Sequence, residues 1–163
     1  MGIPSQIGVF SVADTELSEF WGEFEHGVDD KGRVVIPADF RAGLGEEFVV
    51  TRGPDHSVLV LPIPVWNRIA EQLKDRLLQS DGDLLQRMLG GRAIVRLDPQ
   101  FRLAIPKHLR EWANISQSYA AVLSGQGRKI EIWNKANWDK FMASERTIYE
   151  AAANLGIDPM VAS

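Results

Sequence analysis

The chain twice sets an Asp four residues ahead of an Arg, in Asp29-Asp30-Lys31-Gly32-Arg33 and in Asp98-Pro99-Gln100-Phe101-Arg102. An Arg on a turn presents a planar fork of N–H donors that fits a phosphate, or the O6 and N7 edge of guanine. Lys31 adds a compact charge suited to phosphate, and Gly32 between the two cations permits φ > 0 and close approach of backbone to a partner. Each Asp can accept the backbone N–H groups of its own turn or pair with the Arg that follows. Aimed at a polyanion it would weaken binding, so Asp29 and Asp98 read as turn-positioning groups. Lys31 and Arg33 face either a nucleic acid or plain solvent. For Arg102 two tasks compete, contact with DNA and an ion pair with Asp98.

Catalytic chemistry finds little support. His26, His56 and His108 are far apart and lack the spacing of paired metal ligands. There is no cysteine, which excludes disulfides, thiolate zinc sites and cysteine nucleophiles. No Ser occupies a Gly-x-Ser-x-Gly elbow. Gly125-Gln126-Gly127 is followed by strand formers and not by a helix, so it reads as a hairpin turn and not as a nucleotide loop. The five tryptophans show no spacing of a base-stacking platform and read as core or subunit interface. The expectation is a non-enzyme with no metal and no cofactor.

With 45% apolar and 25% charged residues the chain can bury a core. No apolar run approaches a membrane span, and Met1–Phe10 carries no basic residue, so no signal peptide is expected and the location reads as cytoplasmic. The net charge of −4 argues mildly against nucleic acid, but distribution matters more than the sum. Residues 14–30 hold seven acids and no Lys or Arg, whereas residues 87–110 hold six bases against the single acid Asp98.

These residues sit in an internal repeat. At an offset of 69, Val28-Asp29-Asp30-Lys31-Gly32-Arg33-Val34-Val35-Ile36-Pro37 falls over Leu97-Asp98-Pro99-Gln100-Phe101-Arg102-Leu103-Ala104-Ile105-Pro106, and Arg41 over Arg110. Later the offset becomes 72, with Trp66 over Trp138, a slip assigned to the loop around Ser124–Gly127. Each copy reads as strand, Asp-x-x-x-Arg turn, strand, then Ile-Pro leading into a short helix (37–44 and 106–112), because proline suits a helix's first turn. A hairpin follows each helix. Trp66, Ile69, Ala70, Leu73 and Leu77 mark an amphipathic helix over 64–78. Ser80 or Asp81 should cap a second helix through Leu89, and a last helix should run from Asn134 towards Asn154. One copy is too small to bury its own apolar surface. Two that exchange strands can close a barrel around a pseudo-twofold axis within one chain.

The twice-repeated Asp-x-x-x-Arg followed by Ile-Pro and a helix resembles the SpoVT/AbrB swapped-hairpin module. The tandem arrangement is more specific. Gly22-Glu23-Phe24-Glu25-His26, Asp29-Asp30-Lys31-Gly32-Arg33 and Pro62-Ile63-Pro64-Val65-Trp66 resemble the MraZ family along the first copy. Gln86-Arg87-Met88-Leu89-Gly90-Gly91-Arg92-Ala93 and Glu131-Ile132-Trp133 extend the resemblance through the second. The resemblance implies an α+β, mainly β fold of two AbrB-like half-barrels with flanking helices. Its divisions are an N-terminal extension (1–20), copy one (21–66), a helical connector (67–90), copy two (91–138) and a C-terminal helix and tail (139–163). It also implies a regulator that represses its own division and cell-wall operon in the cytoplasm and nucleoid. The partners would be double-stranded promoter DNA with short direct repeats and further copies of the chain in an octamer-like ring. The cations it directs to DNA are Lys31, Arg33, Arg41, Arg102, Lys107 and Arg110, with a subunit-seam ion pair the rival for Arg41 and Arg110. Phe101 departs from the glycine usual at its place, which suggests a second turn that sits differently. An antitoxin-like module, binding DNA through the same fold and a toxin through 143–163, is the alternative.

Overall fold

The computed structural model describes residues 18–116, 119–144 and 148–158. Copy one runs β1 (Phe20–Gly27), β2 (Arg33–Val35), α1 (Ala38–Leu44), β3 (Phe48–Arg52) and β4 (Val58–Pro62), and then the helices α2 (Ile63–Lys74) and α3 (Ser80–Leu89). Copy two repeats the order with β5 (Ala93–Val95), β6 (Arg102–Ala104), α4 (Lys107–Ala113), β7 (Ala120–Gly127), β8 (Ile130–Asn134), α5 (Lys135–Met142) and α6 (Ile148–Asn154).

The two copies exchange strands. The six-stranded sheet has the order β1-β7-β8-β4-β3-β5, so β1 of copy one pairs with β7 of copy two, and β5 of copy two pairs with β3 of copy one. β2 and β6 form a separate two-stranded ribbon, and all these pairings are antiparallel. A pseudo-twofold axis follows from the register. Val58 opposes Ile132 and Val60 opposes Ile130, which centres the axis on Leu59 and Glu131. In the ribbon Arg33 opposes Ala104 and Val35 opposes Arg102, which centres it on Val34 and Leu103. The fold is therefore α+β and mainly β, with helices flanking two interlocked half-barrels.

One core serves both copies. Phe20, Val34, Ile36, Phe40, Leu103, Ile105, Leu109, Leu123, Ile130 and Ile132 belong to a single buried cluster. Phe40 on α1 meets Phe24 edge-on at 5.2 Å and Phe20 at 6.0 Å. Neither copy alone would close this cluster, since every outer strand finds its partner in the other half. Expressed separately, residues 1–80 and 81–163 are each expected to fail as cooperatively folding monomers. Thermal melts with mass determination check this, and a cooperative monomeric melt of either half contradicts the shared core.

Several details of the elements differ from expectation. Ser124–Gly127 is not a loop but the end of β7, paired with β1 up to Phe20↔Gly127. A Cβ at Gly125 would lie 2.5 Å from Trp21 N, so glycine there admits a neighbouring strand. The extra residues of copy two instead fall between α4 and β7: Phe48↔Val95 in one half is matched by Ala121↔His26 in the other. α2 stops at Lys74, not 78, because the chain turns back so closely that a Cβ at Gly82 would overlap the Arg76 carbonyl. Leu78 consequently lies fully exposed. α3 begins after Gln79 with no side-chain cap, leaving Ser80 and Asp81 inside the helix. α5 starts as expected after Asn134, which caps it: its side-chain oxygen accepts the Asn137 N–H at 3.0 Å. It ends at Met142, and α6 is a separate helix.

Candidate nucleic-acid interface

The β2–β6 ribbon is the element that gathers the predicted cations. Its alternation turns Val34 and Leu103 into the core, at 1% and 0% exposure, which leaves Arg33, Val35, Arg102 and Ala104 on the outward face. One Asp-x-x-x-Arg turn closes each end of this ribbon, where Ile105 N donates to Gly32 O at 3.0 Å and Ile36 N to Phe101 O at 2.9 Å.

The two turns are built alike. Asp29 Oδ1 accepts the backbone N–H groups of Lys31 (2.9 Å) and Arg33 (2.8 Å), and its Oδ2 accepts Arg33 Nε at 2.7 Å. Asp98 Oδ1 accepts those of Gln100 (2.8 Å) and Arg102 (2.9 Å), and its Oδ2 accepts Arg102 Nε at 2.7 Å. Each Asp thus holds the turn backbone and its Arg side chain at once. Arg102 also approaches Asp29, at 4.0 Å, which links the two turns. The second turn does not sit differently: Phe101 takes φ +62 where Gly32 takes φ +75. A bulky residue held there costs on the order of 1–3 kcal/mol.

Each turn is completed by the helix of the other copy. Arg110 on α4 donates through Nε to Ile105 O (2.9 Å) and packs so closely over Gly32 that a Cβ there would meet its Cδ at 2.6 Å. Arg41 on α1 donates through Nε to Ile36 O (2.9 Å) and lays its guanidinium 3.8 Å from the centre of the Phe101 ring. Lys31 is exposed on the first turn, and Lys107 is exposed at the start of α4. All six cations therefore belong to the ribbon, its turns or the two helices that cover them. The remaining bases of the 87–110 run have other contacts: Arg87 pairs with Asp83, Arg96 with Glu46 and Glu47, and Arg92 lies over Trp66 at 5.5 Å. That run is not one continuous patch. The stacked Arg41–Phe101 pair was missed by sequence reasoning, because its members come from different copies. The only signal was the unusual residue at the glycine position.

The Arg33 N–H beside Asp29 is the strongest influence holding its carboxyl below the ordinary value of 3.8, with the Arg33 and Lys31 contacts assisting and burial opposing. Asp98 is lowered in the same way, first by the Arg102 N–H. A carboxyl with a depressed folded-state pKa adds stability that is complete above its unfolded value and is lost as pH falls through the folded one. Wild type is therefore expected to lose stability below about pH 4 more steeply than the Asp29→Asn/Asp98→Asn double variant. Melts between pH 7 and pH 3 check this, and equal acid slopes contradict it.

The sequence matches, in two tandem copies over residues 20–87 and 88–155, the family described as "MraZ protein, putative antitoxin-like". The chain belongs to the MraZ family. Similar curated proteins are each named "Transcriptional regulator MraZ". That of Natranaerobius thermophilus is 36% identical, covering 85% of this chain and 97% of its own. That of Herpetosiphon aurantiacus is 39% identical, covering 85% and 99%, and that of Carboxydothermus hydrogenoformans is 38% identical, covering 85% and 97%. Membership places the chain among transcription regulators and not among enzymes. The second family match runs to residue 155, so the likeness extends well into the C-terminal helix and tail. Among the described residues, no group of three or more His, Asp or Glu is placed to hold a metal ion, and no helix is long and apolar enough to cross a membrane.

Proposed function

We propose that this MraZ family member regulates transcription by binding double-stranded promoter DNA with the outward face of the β2–β6 ribbon. The observation that carries the reading is the pair of Asp-braced Arg turns related by the pseudo-twofold axis. A two-stranded ribbon is of a size that the major groove admits. Arg33 and Arg102 are anchored through Nε, so the Nη donors of each, apart from the Arg102 Nη1 that approaches Asp29, are the ones to offer a guanine edge or a phosphate. Lys31 and Lys107 supply phosphate contacts, and Arg41 and Arg110 back the two turns with further charge. Asp29 and Asp98 act by orientation and do not touch DNA.

Six cations on a chain of net charge −4 neutralise few phosphates, so one subunit should hold DNA weakly. The reading therefore includes a homo-oligomeric ring, octamer-like, that engages short direct repeats upstream of its own division and cell-wall operon and represses it, acting in the cytoplasm at the nucleoid. The antitoxin-like description of the family favours one second reading, in which the same ribbon binds DNA while the C-terminal segment holds a toxin. Fluorescence anisotropy on the chain's own upstream DNA and on a scrambled duplex, titrated with salt and with mass determined in the same buffer, tests the proposal. Preference for the upstream duplex by an oligomer without any partner protein is expected. Equal affinity for the two duplexes at every salt concentration rejects it.

A further inference from the structure

The two ends of the ribbon share a backbone and differ in what they present. At the first turn the tip residues are Lys31 and Gly32, and the space above the glycine is filled by Arg110. At the second they are Gln100 and Phe101. One cation is gone and an aromatic ring has been added, 47% exposed, at a backbone angle that disfavours any side chain. An exposed ring in a left-handed conformation is not needed to form the turn, since glycine forms the same turn in the other copy. The surroundings are fitted to it: Arg41 covers the Phe101 ring at 3.8 Å, whereas its counterpart Arg110 occupies the place a ring would need.

We infer that Phe101 is a specificity-determining residue whose exposed ring makes an apolar contact with a thymine methyl group. The two turns of the ribbon then read different chemistry, one by cations alone and one by an aromatic ring beside a cation. The inference rests on the DNA-binding reading above. The major groove displays the thymine 5-methyl beside acceptors that an Arg can reach, so a ring covered by Arg41 and next in sequence to Arg102 suits an edge with both features. A purely structural task, the ring as a platform for Arg41, makes a different prediction and is separable by experiment.

Wild type, Phe101→Gly and Phe101→Leu are to be bound to the chain's own upstream DNA. They are also bound to duplexes in which single thymines are replaced by deoxyuridine, which removes only the 5-methyl. Wild type is expected to lose roughly fourfold in affinity at one thymine of the repeat unit, the effect of one methyl left unburied. Phe101→Leu keeps that sensitivity. Phe101→Gly loses it and melts at or above the wild-type temperature, because glycine accepts the positive φ. Insensitivity of wild type at every thymine overturns the inference. So does a Phe101→Gly variant that weakens all duplexes evenly with the thymine profile unchanged, since the ring is then a platform for Arg41. Specific binding without methyl sensitivity removes this inference alone, whereas no preference for the upstream DNA removes the functional proposal and this inference with it.

Discussion

Arg33→Ala should remove most specific DNA binding while folding and assembly stay close to wild type. The turn survives the substitution because its backbone is held by Asp29 Oδ1, through the N–H groups of Lys31 and Arg33, and an alanine keeps both donors. What disappears is the Nε contact to Oδ2 and the outward guanidinium. The ion pair lies at the surface with both side chains reaching solvent, so its loss should cost little stability. The loss of a base-reading Arg should cost about 1–3 kcal/mol per subunit contact. In an assembly that engages several repeats at once, these losses accumulate. The uncovered Asp29 carboxylate adds repulsion, and the Asp29→Asn/Arg33→Ala double variant would recover that part and no more. Lys31→Ala is the contrast: it should weaken all sequences more evenly and flatten the salt dependence by about one phosphate contact. Anisotropy titrations with circular dichroism melts and mass determination check these outcomes. Operator affinity of Arg33→Ala comparable to wild type removes this turn from the interface.

The second large effect comes from changing the DNA and leaving the protein intact. In the proposed ring the ribbons would sit at fixed spacing, so once one ribbon is bound the next would meet its repeat at high effective concentration. Avidity can then exceed single-site affinity by roughly 10²–10⁴-fold, provided the geometry lets both engage. Inserting about half a helical turn between intact repeat units moves alternate units to the opposite face of the duplex. Affinity should then fall towards that of a single unit, and a full-turn insertion should restore part of it. The exposed acids of β1, Glu23 and Glu25, would have to lie away from the duplex in such an arrangement. Affinity unchanged by the half-turn insertion removes the multivalent mechanism even if each ribbon does bind DNA.

Much of the architecture was legible because it is written twice. The repeat of Asp-x-x-x-Arg and Ile-Pro placed two turns, two short strands and two helices, and the small size of each copy demanded that they interlock. The order β1-β7-β8-β4-β3-β5 is that demand met. Proline did not enter the helices, however: Pro37 and Pro106 have extended ψ values of 147° and 145° and stand just ahead of them. Where sequence reasoning failed, tertiary contacts overrode local signals. The glycines of Ser124–Gly127 signal a turn in isolation, but β1 lies against them and needs the missing side chain of Gly125. The stripe ending in Leu77 continued the helical period past Lys74, where the helix ends so that the chain can turn back and pack Gly82 on the Arg76 carbonyl. At the interface itself, the alternation of Arg33-Val34-Val35 and Arg102-Leu103-Ala104 did mark which side chains face out. The pairing of Arg110 with the first turn and of Arg41 with the second was invisible, since each contact joins the two copies across the twofold axis.

The central claim is that the outward face of the β2–β6 ribbon is where DNA lies. Hydrogen–deuterium exchange of the full chain, with and without its own upstream duplex and with a scrambled duplex as control, tests this most directly. The expected result is protection by the upstream duplex concentrated in residues 29–35 and 98–104 and at the first turns of α1 and α4, with little change in α2, α3 and α5. Protection confined to those outer helices, or spread identically by the scrambled duplex, would place the nucleic acid elsewhere on the molecule.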